Sequence, residues 1–139
     1  MRAWSSRPCR RWPFNKARAF RLSTYEAAGI RVRPGDRIRM RGLFLTAENP
    51  GGRRWPAGLN RRRMALLAAL LPRPWLPAWS GLGGWREAMF LAPDTRRTRR
   101  LARRFGQAAV LLLGPRGARL HWLACSGPHK LASARPCCA

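Results

Sequence analysis

The residues best suited to bind a ligand lie where a predicted strand is followed by a predicted helix. The apolar run 43–47 predicts a central strand, which is followed by Asn49-Pro50 and a glycine-rich loop. Asn60 is a good N-cap residue and predicts the start of a helix, with Arg61 in its first turn. The amide groups at this helix start, together with Arg61, could hold a phosphate or a carboxylate. The same residues could also serve only the fold, with Asn49-Pro50 shaping a turn and Asn60 capping the helix.

Glu87 occupies an unusual position for an acid, because the alternation at 85–92 places it inside a strand and near an aromatic residue. Such an acid is either paired with an arginine, for example Arg61, or functional. A catalytic role would require a second carboxylate or a histidine nearby, and the chain has only 5 Asp+Glu and 2 His. His121 would qualify only if its strand adjoined that of Glu87 with the same face exposed.

Together these polar positions define a candidate pocket, which could bind a small molecule or carry an enzymatic site. Its residues are Thr46, Asn49, Asn60, Arg61, Glu87 and Gln107. Gln107 could instead satisfy backbone groups after Gly106. The sequence has no Ser/His/Asp ordering, no phosphate-binding glycine motif and no metal-ligand spacing. We therefore predict no catalytic residue, no metal site and no cofactor, and we favour a protein that is not an enzyme.

The charge balance indicates a different kind of ligand. The chain has 29 Lys+Arg against 5 Asp+Glu, a formal net charge of +24, and nearly all of the positive charge is arginine. Arginine binds phosphate in a bidentate manner and stacks on bases, so nucleic acid is the simplest anionic partner. The high content of Arg, Ala, Gly, Pro and Trp is equally typical of a GC-rich genome. In that case the charge would have no function.

The segment 95–105 carries the densest positive charge and is predicted to be a helix. Like charges at i,i+4 destabilise an isolated helix by roughly 0.2–0.5 kcal/mol per pair, and a bound polyanion would remove that repulsion. The simpler alternative is a solvated helix face. The predicted nucleic-acid-binding residues are Arg96, Arg97, Arg99, Arg100, Arg103 and Arg104, supported by Arg61, Arg62, Arg53 and Arg54.

Hydrophobic periodicity predicts one domain at residues 21–123, between a basic disordered tail at 1–20 and a flexible C-terminal tail at 124–139. A hairpin is predicted at 28–40, and the elements after residue 42 follow the order β-α-β-β-α-β-β. The strand at 76–80 is predicted to be an edge because of its proline, and Asp94 is the predicted N-cap of the second helix. The predicted fold class is α+β: a two-layer sandwich with a ferredoxin-like split βαβ core and extra edge strands. Two helices would cover one face of a mostly antiparallel sheet.

Several short motifs occur in a characteristic order. They are Ser23-Thr-Tyr-Glu26, Phe44-Leu-Thr-Ala-Glu-Asn-Pro50, Asn60-Arg61, Trp85-Arg-Glu87 and Arg103-Arg-Phe-Gly-Gln107. Their order and spacing resemble the bacterial family known as domain of unknown function 3293, over about residues 20–123. At Glu48 the chain departs from the family pattern, which usually has an aromatic or similar residue there. The resemblance implies a shared fold and no known activity.

No run of about 18 apolar residues occurs, so the sequence predicts no membrane-spanning helix, and the simplest interpretation is a cytoplasmic bacterial protein. Our leading hypothesis is a small basic domain that binds the RNA or DNA backbone electrostatically and does not catalyse a reaction. The alternative is the small-molecule or enzymatic pocket around Glu87. A third hypothesis is a protein-interaction module using the segment of Trp75, Trp79 and Trp85, marked by a contiguous exposed aromatic patch.

Overall fold

The computed structural model describes residues 14–52 and 54–123, and these contain three α-helices and seven strands. The helices are α1 (Phe14–Leu22), α2 (Ala57–Leu70) and α3 (Arg96–Arg104). The strands are β1 (Thr24–Ala27), β2 (Ile30–Val32), β3 (Gly42–Leu45), β4 (Leu76–Leu82), β5 (Trp85–Ala92), β6 (Ala109–Gly114) and β7 (Gly117–Trp122). A short 3-10 turn, Pro50–Gly52, lies between β3 and α2.

The seven strands form one antiparallel sheet in the order β2-β1-β4-β5-β3-β6-β7, and the sheet curls into a half-barrel. Three hairpins, β1–β2, β4–β5 and β6–β7, pair strands that are consecutive in the chain. The β1–β2 turn uses Ala28 and Gly29 at φ 50° and 77°, and such positive values let a two-residue turn match the twist of its strands. β3 joins the hairpins into one sheet because it pairs with β5 on one side and with β6 on the other.

Helices α2 and α3 cover one face of the sheet. The Ala- and Leu-rich sequence of α2 favours a helix, which ends at Leu70 because the residue before Pro72 takes an extended conformation. Leu67 of α2 and Leu101 of α3 pack there against the fully buried Leu43 and Leu45 of β3. This helix-covered core holds the central strand in place.

The opposite face of the sheet is also apolar. Tyr25 and Val32 from one end of the sheet cluster with Phe44 and Leu111 at its centre and with Ala118 at its other end. The loop after β2 also reaches the far end of the sheet, where the Gly35 amide donates to the Ala118 carbonyl at 2.7 Å, so this apolar face is the concave one. The curl therefore buries apolar side chains that a flat sheet would leave in water.

The predicted two-layer ferredoxin-like sandwich is wrong. That architecture has two helices on one face of an open sheet, whereas the described residues form a curled seven-stranded sheet with a core on each face and a third helix. The physical reason lies in the strands, which carry apolar residues on both faces. Leu43 and Leu45 face the helices while Phe44 faces the concave side, so covering one face alone would expose the other.

Some predicted element boundaries also differ from the structure. Residues 14–20, predicted as part of the N-terminal tail, lie in helix α1, where Phe20 makes an edge-on contact with Trp122 at 5.5 Å between ring centres. Residues 1–13 and the predicted tail 124–139 lie outside the described residues. The predicted strand at 38–40 is not formed, and Ile38 and Met40 instead pack against the concave core.

Strand β4 is longer than predicted and lies inside the sheet, between β1 and β5. Its proline is tolerated because Pro77 lies one residue beyond Ala78, which makes the last pair with β1. At the start of α3 the N-cap is Thr95, whose Oγ1 accepts from the Thr98 amide at 3.1 Å, and not the predicted Asp94. Asp94 does not cap the helix because both oxygens of its carboxylate accept from Arg99.

Candidate functional site

The candidate site begins where β3 leaves the sheet. After Leu45 the chain bends away from β5, which would leave the polar backbone groups of Ala88 without a strand partner. Two side chains replace the missing strand: the Thr46 hydroxyl donates to the Ala88 carbonyl at 2.6 Å, and the Glu48 carboxylate accepts from the Ala88 amide at 3.1 Å. The early end of β3 thus opens a gap in the sheet, while the backbone groups of Ala88 on β5 stay hydrogen-bonded.

Asn49 is the centre of a hydrogen-bond network in this gap. Its backbone has a φ of 46°, a conformation that asparagine tolerates better than most residues. Its Oδ1 accepts from the amide of Trp55 at 2.8 Å and from the side chain of Asn60 at 3.0 Å, while its Nδ2 donates to the Glu87 carboxylate at 2.9 Å. Asn49 is 8% exposed, so the network is pre-organised and shielded from water.

Asn60 has a different role from the predicted one. Helix α2 begins at Ala57 after Pro56, so Asn60 lies inside its first turn and is not the N-cap. Its Oδ1 accepts from the backbone amide of Asn49 at 3.0 Å, and its Nδ2 donates back to the Asn49 Oδ1. Asn60 therefore fixes the loop that carries Asn49. The prediction failed because the helix begins earlier in the chain, with Pro56 at the N-cap position and no side-chain cap.

Glu87 projects from the concave face of β5 toward the gap. It lies in a row of directly paired residues, with Ser80 on β4 next to it and Tyr25 on β1 next to Ser80. Burial raises the pKa of the Glu87 carboxyl. Hydrogen bonds from the side chains of Asn49 and Trp85 oppose this, and the nearby charge of Glu48 raises the pKa further. A carboxyl in this environment holds its proton to higher pH than an exposed glutamate does.

The second carboxylate and the phenol respond to the same environment. Burial also raises the pKa of Glu48, although its hydrogen bond from the Ala88 amide opposes this. The pKa of Tyr25 is raised, first by burial and then by the negative charge of Glu87. The site thus combines two carboxyl groups that hold protons more tightly than usual with a neutral phenol, which together can donate or accept hydrogen bonds and protons.

These residues line one cavity of about 340 Å³. Buried side chains of Tyr25, Met89 and Leu111 give it an apolar interior, and Phe20 of α1 and Trp85 of β5 add aromatic surface. Its polar lining comes from Ser23, Thr46, Glu48, Asn49, Ser80, Glu87 and Gln107. This size, with a mainly apolar wall and a few convergent polar groups, is typical of small-molecule sites.

Gln107 and Arg63 support the site from the other side of the β3–α2 loop. The Gln107 side-chain oxygen accepts from the Thr46 amide at 3.3 Å. The Arg63 guanidinium donates to the carbonyls of Ala47 at 2.8 Å and Phe105 at 2.6 Å, so it ties the loop to the end of α3. Arg63 is therefore a structural cation rather than a ligand-binding one.

Of the six residues predicted to form a ligand pocket, four line the cavity: Thr46, Asn49, Glu87 and Gln107. Asn60 lies behind Asn49, and Arg61 is exposed on α2 and does not line the cavity. The predicted pairing of Glu87 with Arg61 is not formed, since Glu87 bonds to Asn49. His121 cannot partner Glu87, because β3 and β6 lie between their strands.

The predicted nucleic-acid-binding residues lie mainly on α3, away from the cavity. Arg99 is bound to Asp94 through Nε at 2.7 Å and Nη2 at 2.8 Å. In the described part of the chain the other arginines of this helix have no carboxylate partner, and they are exposed: Arg96, Arg97, Arg100, Arg103 and Arg104. A shallow groove between α2 and α3 is lined by Leu70, Leu101 and three of these arginines.

The supporting arginines are dispersed. Arg61 and Arg62 are exposed on α2, Arg53 lies outside the described residues, and the Arg54 guanidinium lies 5.0 Å from the ring centre of Trp85.

The three tryptophans of the interaction hypothesis do not share one surface. Trp75 packs against Phe90 in the helix-covered core with ring centres 4.7 Å apart. Trp79 lies under the Arg86 guanidinium at 4.1 Å, while Trp85 lies at the cavity on the other face of the sheet.

Residues 45–110 match the family model described as protein of unknown function, DUF3293. This stretch belongs to DUF3293. The predicted resemblance to this family is thereby confirmed over residues 45–110, and this segment contains both carboxylates of the cavity together with Thr46, Asn49 and Gln107. No curated protein and no solved structure matches the chain significantly.

Two further properties of the described residues bear on function. No three His, Cys, Asp or Glu side chains within them come together as a metal site would require. None of their helices is long and apolar enough to cross a membrane.

Sequence reasoning missed several residues of the cavity. Tyr25 lies outside the DUF3293 match, although its motif was among those that indicated the family. Glu48 was overlooked because it departs from the family pattern, and Ser80 because its strand was taken for an edge. The alternation of β5 was the available signal for Trp85, since it places Trp85, Glu87 and Met89 on one face.

Proposed function

We propose that the protein binds a small molecule in the cavity on the concave face of the sheet, with Glu87 as the central polar contact. The observation that carries this proposal is the hydrogen-bonded chain from Asn60 through Asn49 to Glu87, which holds a carboxylate in a cavity of about 340 Å³. Burying an acid costs free energy, and the fold would gain more from an apolar residue there. Perturbed acids in clefts are typical of functional sites.

The side chains around Glu87 support binding with defined orientation. Asn49 occupies one oxygen of the Glu87 carboxylate, and the Ala88 amide occupies one oxygen of Glu48. A carboxylate has about four lone-pair sites, so each group could accept a further hydrogen bond from a ligand. The apolar interior around Met89 and Leu111 would contact the rest of the molecule. Such an arrangement, with fixed polar groups on an apolar wall, gives affinity and specificity together.

A fragment screen by amide NMR spectroscopy tests this proposal. Binding to the cavity should shift the signals of Tyr25, Glu87 and Met89, and Ser80→Trp, which places an indole in the cavity, should abolish these shifts. Ser80→Phe is a smaller filler in case the indole prevents folding, and Arg100→Trp on the surface of α3 is the matched control that should leave binding intact. Fragments that bind equally well to the filled variants, or that never shift cavity signals, would refute the proposal.

A second proposed function is binding of a polyanion, most simply the RNA or DNA backbone, on α3. It is supported by the five exposed arginines of this helix that have no carboxylate partner among the described residues. Repulsion between them would be relieved by phosphates.

Fluorescence anisotropy with a mixed-sequence RNA tests this second function. The affinity should fall at least about tenfold between roughly 50 and 200 mM salt. A triple Arg→Gln variant on α3 should weaken binding far more than an equally charged triple variant on the β2–β3 loop. These variants change Arg97, Arg100 and Arg104 on α3 and Arg37, Arg39 and Arg41 in the loop. Equal loss in both would mean that only net charge matters, and a flat salt dependence would end the hypothesis.

A further inference from the structure

The lining of the cavity has a charge opposite to that of the chain. The chain carries 29 Lys+Arg and 5 Asp+Glu, yet the residues that line the cavity include two of the five acids, Glu48 and Glu87, and no Lys or Arg. Neither carboxylate is part of an ion pair in the described part of the chain, where the ion pairs are Arg31–Glu26 and Arg99–Asp94. The cavity is therefore locally anionic inside a strongly cationic protein.

The two carboxylates are held by neutral donors: amide groups bind both, and the Trp85 side chain also hydrogen-bonds to Glu87. Glu87 accepts from the Asn49 side chain at 2.9 Å, and Glu48 accepts from the Ala88 amide at 3.1 Å. Neutral donors fix the position of a carboxylate without neutralising its charge. With so many arginines in the sequence, an ion pair would have been the simplest way to compensate a buried acid. Its absence at these two acids leaves their charge to be balanced by something that enters the cavity.

The remaining walls suit an organic cation. Tyr25, Trp85 and Phe20 present aromatic rings around the cavity, and aromatic faces attract cations. The Trp85 ring already attracts one guanidinium, that of the exposed Arg54 at 5.0 Å. Met89 and Leu111 provide an apolar interior that would exclude a fully hydrated metal ion but accept a hydrocarbon group.

We propose that the ligand of this cavity is a small organic cation, such as a protonated primary amine on an apolar or aromatic body, whose charged group binds beside Glu87. This inference rests on the proposed small-molecule function and names its ligand class. The ammonium group donates to the available carboxylate oxygens, and its apolar body packs against Tyr25, Met89 and Leu111.

The net charge gives this proposal a distinctive salt dependence. A positive ligand is repelled over long distances by a chain of net charge +24, and salt screens that repulsion with a Debye length of about 10 Å at 0.1 M. The contact with Glu87 is short and partly buried, so salt weakens it much less. Affinity for the cation should stay constant or rise with salt, whereas affinity for any anion should fall.

The test compares three probes of nearly equal size on the full chain: 2-phenylethylammonium, 2-phenylethanol and phenylacetate. Binding is measured by NMR titration, following the signals of Tyr25, Met89 and Leu111, at low and at physiological salt. We expect millimolar or tighter binding of the ammonium, at least tenfold stronger than that of the alcohol, with phenylacetate weakest at the cavity. The ratio of the affinity for the ammonium to the affinity for the alcohol should not decrease as the salt concentration rises.

Glu87→Gln is the decisive variant, because it keeps an acceptor for Asn49 and removes the charge. This variant should bring the affinities for the ammonium and for the alcohol to within about twofold of each other. Glu26→Gln is the matched control, since it is the same substitution with the same change in net charge at an exposed residue of β1, and it should leave the ratio unchanged.

The outcomes separate the two proposals. Binding of the alcohol at the cavity without preference for the ammonium, or a preference for phenylacetate, overturns the cationic ligand and leaves the small-molecule site standing. A preference for the ammonium that survives Glu87→Gln overturns the assigned role of Glu87. If none of the three probes shifts the cavity signals at millimolar concentration, the cationic-ligand proposal fails. The fragment screen then decides separately whether the cavity binds anything.

Discussion

Replacement of Asn60 distinguishes a helix cap from a residue that fixes the loop carrying Asn49. An N-cap residue needs only an acceptor, so Asn60→Asp and Asn60→Ser would be nearly neutral if Asn60 capped α2. In the structure Asn60 acts as acceptor and donor at once, with its Oδ1 receiving the Asn49 amide and its Nδ2 binding the Asn49 Oδ1, both at 3.0 Å. Both groups lie in buried surroundings.

The expected cost follows from these two bonds. In Asn60→Ala the buried amide of Asn49 loses its acceptor, which costs about 1–3 kcal/mol, and the second bond contributes about 1 kcal/mol more. Alanine is a better helix former and returns about 0.5 kcal/mol. We therefore expect a destabilisation of about 1.5–3.5 kcal/mol. Asn60→Asp should cost at least as much at neutral pH, because it places a carboxylate oxygen against the Asn49 Oδ1.

Urea denaturation at fixed salt measures these differences, and the salt must be fixed because the chain repels itself. Asn60→Asp should regain stability as the pH falls, since a protonated carboxyl can donate to Asn49. The control variant Arg61→Ala, at an exposed residue, should have a free energy of unfolding within about 0.5 kcal/mol of the wild type. If Asn60→Asp or Asn60→Ser is as stable as the wild type at neutral pH, the residue is only a cap and the pre-organised network is refuted.

Three other substitutions test the surrounding structure. Glu87→Gln should stabilise the protein at neutral pH, because burial raises the pKa of the Glu87 carboxyl. The protonated carboxyl contributes its full stability below the ordinary pKa of 4.5, and this contribution is lost as the pH rises through the raised pKa. Denaturation in acid should show no difference, and a less stable variant at neutral pH would contradict the reasoning. Gly117→Ala should cost about 2–4 kcal/mol by thermal unfolding, because at φ 90° its Cβ would lie 2.5 Å from the Asp36 carbonyl, whereas Gly84→Ala, with open space around it, should cost little. Arg63→Lys should cost about 2 kcal/mol in urea titrations, because an ammonium cannot bridge the two carbonyls that the guanidinium binds, and an equal loss in Arg62→Lys would refute this.

The local features of the fold could be predicted from the sequence, and its global closure could not. Helical composition identified α2 and α3, and the apolar run at 43–47 identified the strand β3 inside the sheet. The sheet curl depends on where the β1–β2 hairpin attaches, and pairing of Tyr25 with Ser80 joins segments far apart in the chain. No local pattern encodes such a pairing, so the two-layer sandwich was the wrong choice.

The same limit applies to the candidate site. Thr46, Asn49 and Glu87 could be predicted because they lie at the end of an apolar run and inside an alternating strand. Tyr25 could not, because it reaches Glu87 only through the row across β4. The roles of Asn60 and Arg63 depend on atoms that they contact, the Asn49 amide and the Ala47 carbonyl, and residue type alone gave the wrong role for Asn60.

The contact between Phe20 and Trp122 has a consequence for how the protein matures during synthesis. These rings lie about a hundred residues apart in sequence, and β3 near the start of the domain must wait for β5 and β6 before it has partners on both sides. Such non-local pairing is slow and leaves apolar strands exposed in the meantime. Residues of both α1 and β6 line the cavity, so its wall is incomplete until β6 has been synthesised. The complete cavity can therefore form only when nearly the whole domain has left the ribosome.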